Sequence, residues 1–308
     1  MLKKFYSNGK LLLTGEYAVL DGALSLAFPV RFGQFLEVKE QKKNCISWQS
    51  LDHENKTWYT VQLPVDISKE NRDGETAADK QPETRTLKNV LRAARNLNPR
   101  FLSGTNGYQV TTRLTFPRNW GLGSSSTLIN NIALWAEVDP YRLLWESFPG
   151  SGYDIACANH TYPLTYQIKN GKPSVKEVAF SPSFRDKLFF VHLNKKQNSR
   201  EGILQYRKTG ADKKELARKI TSITNSILQC STLNDFEVLL QEHENLISSA
   251  LGLPTIKKQL FDGYTGGTIK SLGAWGGDFI LVTGENTSQK YFTDRDYTTI
   301  IPFKDMLL

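Results

Sequence analysis

A strand leads into a glycine- and serine-rich turn, and a helix leads out of it, over Phe116-Pro117-Arg118-Asn119-Trp120-Gly121-Leu122-Gly123-Ser124-Ser125-Ser126-Thr127. Gly107 to Phe116 alternates apolar and polar residues as a half-buried strand does, and Leu128, Ile132, Leu134 and Trp135 mark the outgoing helix. Glycines let the backbone take φ > 0 and approach an anion closely. The helix start offers unpaired N–H groups and the positive end of its macrodipole. Three hydroxyls add donors, and one of them can coordinate magnesium. The Walker pattern G-x-x-x-x-G-K-[ST] is absent. Taken alone, the turn reads equally as a phosphate cradle and as a serine-rich cap after a glycine turn.

Two further places carry chemistry-bearing residues. Gly150-Ser151-Gly152-Tyr153-Asp154-Ile155-Ala156 is a tight turn opening a helix. A carboxylate at a helix N-terminus is stabilised as the anion, which suits a base that accepts a hydroxyl proton; an ordinary first-turn Asp is the commoner reading of such a motif by itself. Lys10 follows Gly9 at the start of the apolar run Leu11-Leu12-Leu13, where it either pairs or reaches water. His53, His160, His192 and His243 show no spacing that marks a metal site or a triad.

The rest of the chain mixes strands and helices without strict alternation, which favours the α+β class. Strands are expected over Gly9–Gly15, Phe32–Lys39, Ile46–Trp48, Trp58–Leu63, Leu188–Leu193, Phe279–Val282 and Thr298–Pro302. Leu164–Ile168 and Val175–Phe180 bracket Asn170-Gly171, a hairpin signal. Helices are expected over Thr86–Leu97, Tyr141–Ser147, Asp212–Gln229 and Asn234–Leu251. Ser68–Arg85 has almost no apolar residues and reads as an exposed loop. A composition shift near Ser181-Pro182-Ser183 suggests a boundary, giving domains of residues 1–182 and 183–308.

At 308 residues, with 39% hydrophobic and 23% charged residues, the chain is long enough for a substantial core and is neither disordered nor fibrous. No run of 18 apolar residues exists, and the N-terminus lacks the apolar segment of a signal peptide. Three scattered cysteines, Cys45, Cys157 and Cys230, read as reduced thiols, so a cytoplasmic location is expected. The net charge of +8 favours anionic partners, but the basic residues form pairs rather than tracts. The plain reading of that charge is a soluble surface, and neither nucleic acid nor membrane is expected as a partner.

Taken together, the motifs resemble the superfamily of galactokinase, homoserine kinase, mevalonate kinase and phosphomevalonate kinase, the GHMP kinases. Gly9 through Gly22 is similar to its opening strand and turn, Pro117 through Ser126 to its phosphate loop, and Lys270-Ser271-Leu272-Gly273-Ala274-Trp275-Gly276-Gly277-Asp278 to its C-terminal glycine-rich loop. Gly150 through Ala156 resembles the segment with its catalytic aspartate.

The resemblance implies a two-domain α+β fold, with the phosphate loop in the N-terminal domain and a ferredoxin-like C-terminal domain. It implies ATP and Mg2+ as cofactors. Asp154 falls on the family's base and Lys10 on the lysine beside it. Ser125 falls on the magnesium ligand, and Gly121, Leu122, Gly123, Ser124 and Ser126 on the triphosphate cradle. Gly273 and Ala274 fall on the loop closing over phosphates and acceptor. Glu16, Tyr17 and Ser151 match segments on the acceptor side. Ser199 and Arg200 lie in a basic loop that reads equally as solvated or as a hold on the acceptor's anion. Glu146 is the nearest candidate for a second magnesium ligand and reads equally as an exposed helix residue. Asn8 stands where the family usually has proline, and Trp275 where its third loop has glycine.

Gly15-Glu16-Tyr17-Ala18-Val19-Leu20 and Gly276-Gly277-Asp278 lean toward phosphomevalonate kinase. The expected activity is transfer of the ATP γ-phosphate to mevalonate or phosphomevalonate by a monomer or homodimer. The alternatives are a sugar or other small-molecule kinase of the superfamily, the related diphosphomevalonate decarboxylase, and a non-catalytic nucleotide-binding homologue.

Overall fold

A computed structural model describes residues 2–67, 81–196 and 199–308. The chain divides into two compact units that interleave along the sequence. The first comprises Met1–Gly9, Phe32–Arg118 and Gly123–Asn159, and the second Lys10–Arg31, Asn119–Leu122 and His160–Leu308. Strands β1 (Leu2–Leu12) and β2 (Ser25–Gln41) each contribute to both.

In the first unit, β3 (Ile46–Leu51) pairs antiparallel with β4 (Thr57–Leu63) and parallel with β5 (Gly107–Leu114). The second half of β2 closes this set against β5, from Gln34 opposite Leu114 to Gln41 opposite Gly107. The period-2 pattern sends Leu36, Val38, Ile46, Trp48, Val61 and Val110 to one core. Helices α1 (Pro82–Leu97), α2 (Ser124–Ala136), α3 (Pro140–Ser147) and α4 (Tyr153–Asn159) supply the other half of it. Helix α1 begins four residues before the expected Thr86. Pro82 fits the first helical turn, where its missing N–H has no partner to lose. Thr84, read as part of a loop, is buried on the Tyr59 hydroxyl at 2.9 Å. The remainder of that expected loop, residues 68–80, lies outside the described residues.

The second unit carries the hairpin of β6 (Leu164–Lys169) and β7 (Lys172–Glu177), with Asn170 and Gly171 at φ 51° and 73° as a type I′ turn requires. Ser25–Ala27 of β2 pair with β6. Then follow β8 (Leu188–His192), α5 (Ser199–Lys208), α6 (Lys213–Gln229), α7 (Leu233–Leu251), α8 (Ile256–Leu260), β9 (Ile269–Ser271), β10 (Phe279–Thr283), α9 (Gln289–Thr293) and β11 (Ile300–Pro302). The strands β8 to β11 form an antiparallel sheet in the order β11-β8-β10-β9. Numbered along the chain, that is 4-1-3-2, with helices between the first and second and between the third and fourth strands, the ferredoxin-like arrangement expected for the C-terminal part. The long helices are defined by their caps: Asp212 accepts from Glu215 N–H, Thr232 accepts from Asp235 N–H, and Gly252 ends α7 in the left-handed region.

Helix α5 takes in Ser199 and Arg200, the last two residues of the basic loop expected over Asn194–Arg200, of which residues 197 and 198 lie outside the described residues, and the short strand β9 was not expected at all. Strand β1 begins at Leu2 rather than Gly9, because its first four residues are largely exposed and carry no apolar alternation. Among the described residues no helix is long and apolar enough to cross a membrane.

Candidate active site

The expected phosphate turn divides at Leu122–Gly123, the residues up to Leu122 belonging to the second unit and those from Gly123 to the first. In the first unit, Gly123 caps α2 at φ 92°, and no side chain caps the helix. The first turn of α2 holds no acidic residue. Its N–H groups therefore meet neither a capping oxygen nor a like charge competing with a bound anion. The three serines differ. Ser126 is buried with its hydroxyl given to Gly123 O at 2.9 Å, Ser124 is half-buried and Ser125 is exposed.

Ser151 is buried, Gly152 takes φ 94°, and Asp154 sits half-buried in the first turn of α4. Helices α2 and α4 are fastened side by side by two asparagines. Asn130 Nδ2 donates to Asn159 Oδ1 at 3.1 Å, and Asn159 Nδ2 donates to Asn130 Oδ1 at 2.8 Å. Asn130 follows Ser125, and Asn159 follows Asp154, by the same five positions. Asn130 also donates to Ser7 Oγ of β1, Ser7 Oγ donates to Asn131 Oδ1, and Asn131 Nδ2 donates to Gln34 O of β2. Ser7, Asn130 and Asn131 are fully buried. Glu146 is exposed on α3.

In the second unit, the Lys10 backbone N–H donates to Leu122 O at 3.0 Å and its ammonium donates to Gly121 O at 2.9 Å. Gly121 takes φ 67°, and a Cβ there would overlap the Asp278 carboxyl group. Only glycine satisfies both conditions. Gly273, at φ 68°, lies against the same lysine: a Cβ built on it would stand 3.8 Å from Lys10 Nζ. The structure thus brings together Lys10, Gly121 and Gly273, expected to share a site from three motifs. It adds Asp278, itself at φ 56° and buried, from the end of the third motif. The turn is held from below by His192, whose Nδ1 accepts from Asn194 N–H and whose Nε2 therefore faces Asn119 O as a donor at 3.1 Å. Trp120 packs edge-on against Phe279.

Glu16 is placed in a buried ionic cluster. Its Oε1 meets Lys270 Nζ at 2.5 Å, and Lys270 lies 3.2 Å from Glu244 Oε1. Gly15 N–H donates to His243 Nε2 at 2.9 Å, so that ring is neutral with its proton on Nδ1. Burial, reinforced by the Lys270 charge, holds the imidazole well below its usual range. Glu16 Oε2 faces the same Nε2 at 3.4 Å, acceptor against acceptor unless the carboxyl carries a proton. Burial favours that protonated form. It raises Glu16 to about 7 against the opposing pull of Lys270, and it raises Glu244 too. Tyr17 is buried at φ 58° with its hydroxyl accepting the Trp275 N–H at 3.1 Å, and Ala274 is buried beside it in the chain. The side chains of Ser199 and Arg200 lie outside the described residues. Among the described residues no group of three His, Cys, Asp or Glu side chains is set to hold a metal ion.

Sequence reasoning missed Lys270, Glu244, His243 and His192. Lys270 stood in a quoted motif without a role, and a lysine between Ile269 and Ser271-Leu272 is a usable signal of burial with a partner.

No protein-family profile matches the sequence, and no curated protein matches it. Solved structures do. The mevalonate kinase of Methanococcus jannaschii is 18% identical over 98% of this chain and 97% of its own, with a TM-score of 0.71. The Streptococcus pneumoniae phosphomevalonate kinase in complex with phosphomevalonate and AMPPNP is 15% identical over 95% of each chain, with a TM-score of 0.69. The Lactococcus lactis galactokinase complexed with galactose is 13% identical over 95% of this chain and 88% of its own, with a TM-score of 0.67. The chain has the GHMP kinase fold. The match runs through both units of the α+β fold, as the three-motif resemblance implied.

Proposed function

We propose that this chain is an ATP-dependent small-molecule kinase that transfers the γ-phosphate to an alcohol or phosphate of a small anionic acceptor, with mevalonate or phosphomevalonate as the preferred acceptor. The observation that carries the reading is the convergence of Lys10, Gly121 and Gly273 from three remote motifs, together with the uncapped, acid-free start of α2. The +8 net charge suits an acceptor that is itself anionic.

In this reading, the N–H groups after Gly123 and the backbone of Gly121 and Leu122 cradle the phosphates, while Ser124 and Ser126 shape the turn. Bound there, ATP supplies the phosphoryl group and Mg2+ offsets its charge. Ser125 and Glu146, both exposed on helices of the first unit, are the side chains that would hold the metal. Lys10 steadies negative charge as it develops, its amine already oriented by Gly121 O. Asp154 accepts the acceptor's hydroxyl proton. Ser151, Ser199 and Arg200 are the proposed acceptor-side groups, with Gly273 and Ala274 over the phosphates. Glu16 and Tyr17 serve that side through the buried contacts they make rather than by reaching solvent.

A coupled ADP-release assay across mevalonate, phosphomevalonate, galactose and homoserine tests the acceptor class. Asp154→Asn should lower kcat by about 10²–10⁴ with Mg-ATP affinity nearly kept, because the base is lost and the cradle is not. Near-normal turnover by that variant defeats the assignment of the base, and carbon dioxide release from a diphosphorylated acceptor would point to decarboxylation instead.

A further inference from the structure

Trp275 stands where the resembled family has glycine, in the middle of a turn whose neighbour Gly273 abuts Lys10. Its indole leaves the turn. It is buried among Tyr17, Tyr206, Leu216, Ile247 and Leu251, and its Nε1–H donates to Pro254 O at 3.3 Å. Its backbone N–H, which a phosphate-closing loop could offer to an anion, is instead given to the Tyr17 hydroxyl.

Tyr17 is held equally firmly. Its ring stacks on Tyr206 of α5 with centroids 5.4 Å apart, and Tyr206 donates to Asp21 at 2.7 Å. Its hydroxyl occupies the space where any side chain at position 202 would begin, so Gly202 is what lets α5 approach. A tyrosine at φ 58° is backbone strain that surrounding contacts must sustain.

We propose that Tyr17 and Trp275 form a pin that fixes the third glycine turn and helix α5 to one another, holding Gly273 beside the Lys10 ammonium, and that they are thereby positioning residues for phosphoryl transfer. The proposal rests on the kinase reading above. Helix α5 opens with Ser199 and Arg200, the proposed acceptor-side residues, so the pin ties the acceptor side to the phosphate side within the second unit. In place of a mobile glycine loop, the chain has a turn anchored in a core.

Tyr17→Phe removes the acceptor of the Trp275 N–H and leaves the stacked ring. Backbone amides of residues 272–277 should then exchange hydrogen about tenfold faster, and kcat should fall about tenfold, while the Kd for Mg-ATP moves less than about twofold. Trp275→Gly should give the same pattern more strongly, and Trp275→Phe, which keeps the N–H and a buried ring, should recover most of kcat. These two carry the test if Tyr17→Phe does not fold. Unchanged exchange overturns the pin, and faster exchange with kcat intact overturns its positioning role. A wild-type protein that phosphorylates no acceptor overturns the kinase reading instead, a result independent of the exchange measurement.

Discussion

The two asparagines joining α2 to α4 give a quantitative prediction. Asn130 is fully buried and engages Asn159 twice and Ser7 once. Each such bond contributes about 1 kcal/mol net, so Asn130→Ala should cost about 3 kcal/mol before the small cavity it leaves is added. Asn159 is exposed, and water can replace part of what it offers. Asn159→Ala should therefore cost only about 1 kcal/mol, most of it from the Asn130 carbonyl left with a poorer partner. If the reciprocal pair is the link, the double variant should cost about 1 kcal/mol less than the sum of the singles. Urea unfolding with an unchanged m-value reads all three. Agreement with simple addition within about 0.3 kcal/mol would show that the pair transmits nothing between the helices. Because the pair sits at the same offset from Ser125 and from Asp154, Asn159→Ala should also lower kcat on the order of tenfold with Mg-ATP affinity kept.

Gly121→Ala places a methyl against the Asp278 carboxyl at φ 67° and should cost about 2–4 kcal/mol, of which Asp278→Ala in the same chain returns the steric part but not the backbone part; full recovery in the double variant would refute the split. Lys270→Met leaves two buried carboxyls without their ammonium and should cost about 3–5 kcal/mol, with Glu16→Gln added to it recovering a portion in denaturant titrations. Glu16 also predicts a pH dependence. Its folded pKa is raised from 4.5 to about 7, so the folded state keeps a proton that the unfolded chain releases. That contribution to stability is fully present below about 4.5 and is lost as the pH climbs to about 7. Glu16→Gln should hence lose less stability than the wild type between about pH 5 and pH 8; parallel curves would contradict the protonated carboxyl.

The geometry of the glycine- and serine-rich turn was readable because its parts are local. The glycine spacing, the serines and the strand-to-helix switch of residues 107–135 all lie within one stretch of chain, and each acts through backbone geometry that residue type dictates. What was not readable depends on distant partners. Periodicity marks Leu134 as a core position of α2, but Leu134 is 43% exposed. The helix instead turns Asn130 and Asn131 inward, because Ser7 and Gln34 from β1 and β2 are there to satisfy them. Helix α5 was missed for a related reason. Gly202 weakens the helical signal of its own segment, and the benefit of that glycine lies at the remote Tyr17, beside the contact that Tyr206 makes with Asp21 across 185 positions.

The fate of Glu16 shows why matched motifs are better evidence for a fold than for the role of each residue in them. Glu16 and Lys270 belong to the first and third motifs, 254 positions apart, and they meet at 2.5 Å inside the protein. A chain without Lys270 leaves two buried carboxyls with no ammonium beside them, so the two motifs are linked by desolvation whatever the acceptor is. The resemblance puts Glu16 on the acceptor side, and the geometry joins it to Lys270, to which the resemblance gave no role. They clamp the turn after β1 to the strand that feeds Gly273, and so fix where Lys10 and the third loop stand. Lys10, Asp154 and Ser125 are the residues on which the catalytic reading depends, and substitution at those positions discriminates between a working kinase and a folded relative without turnover.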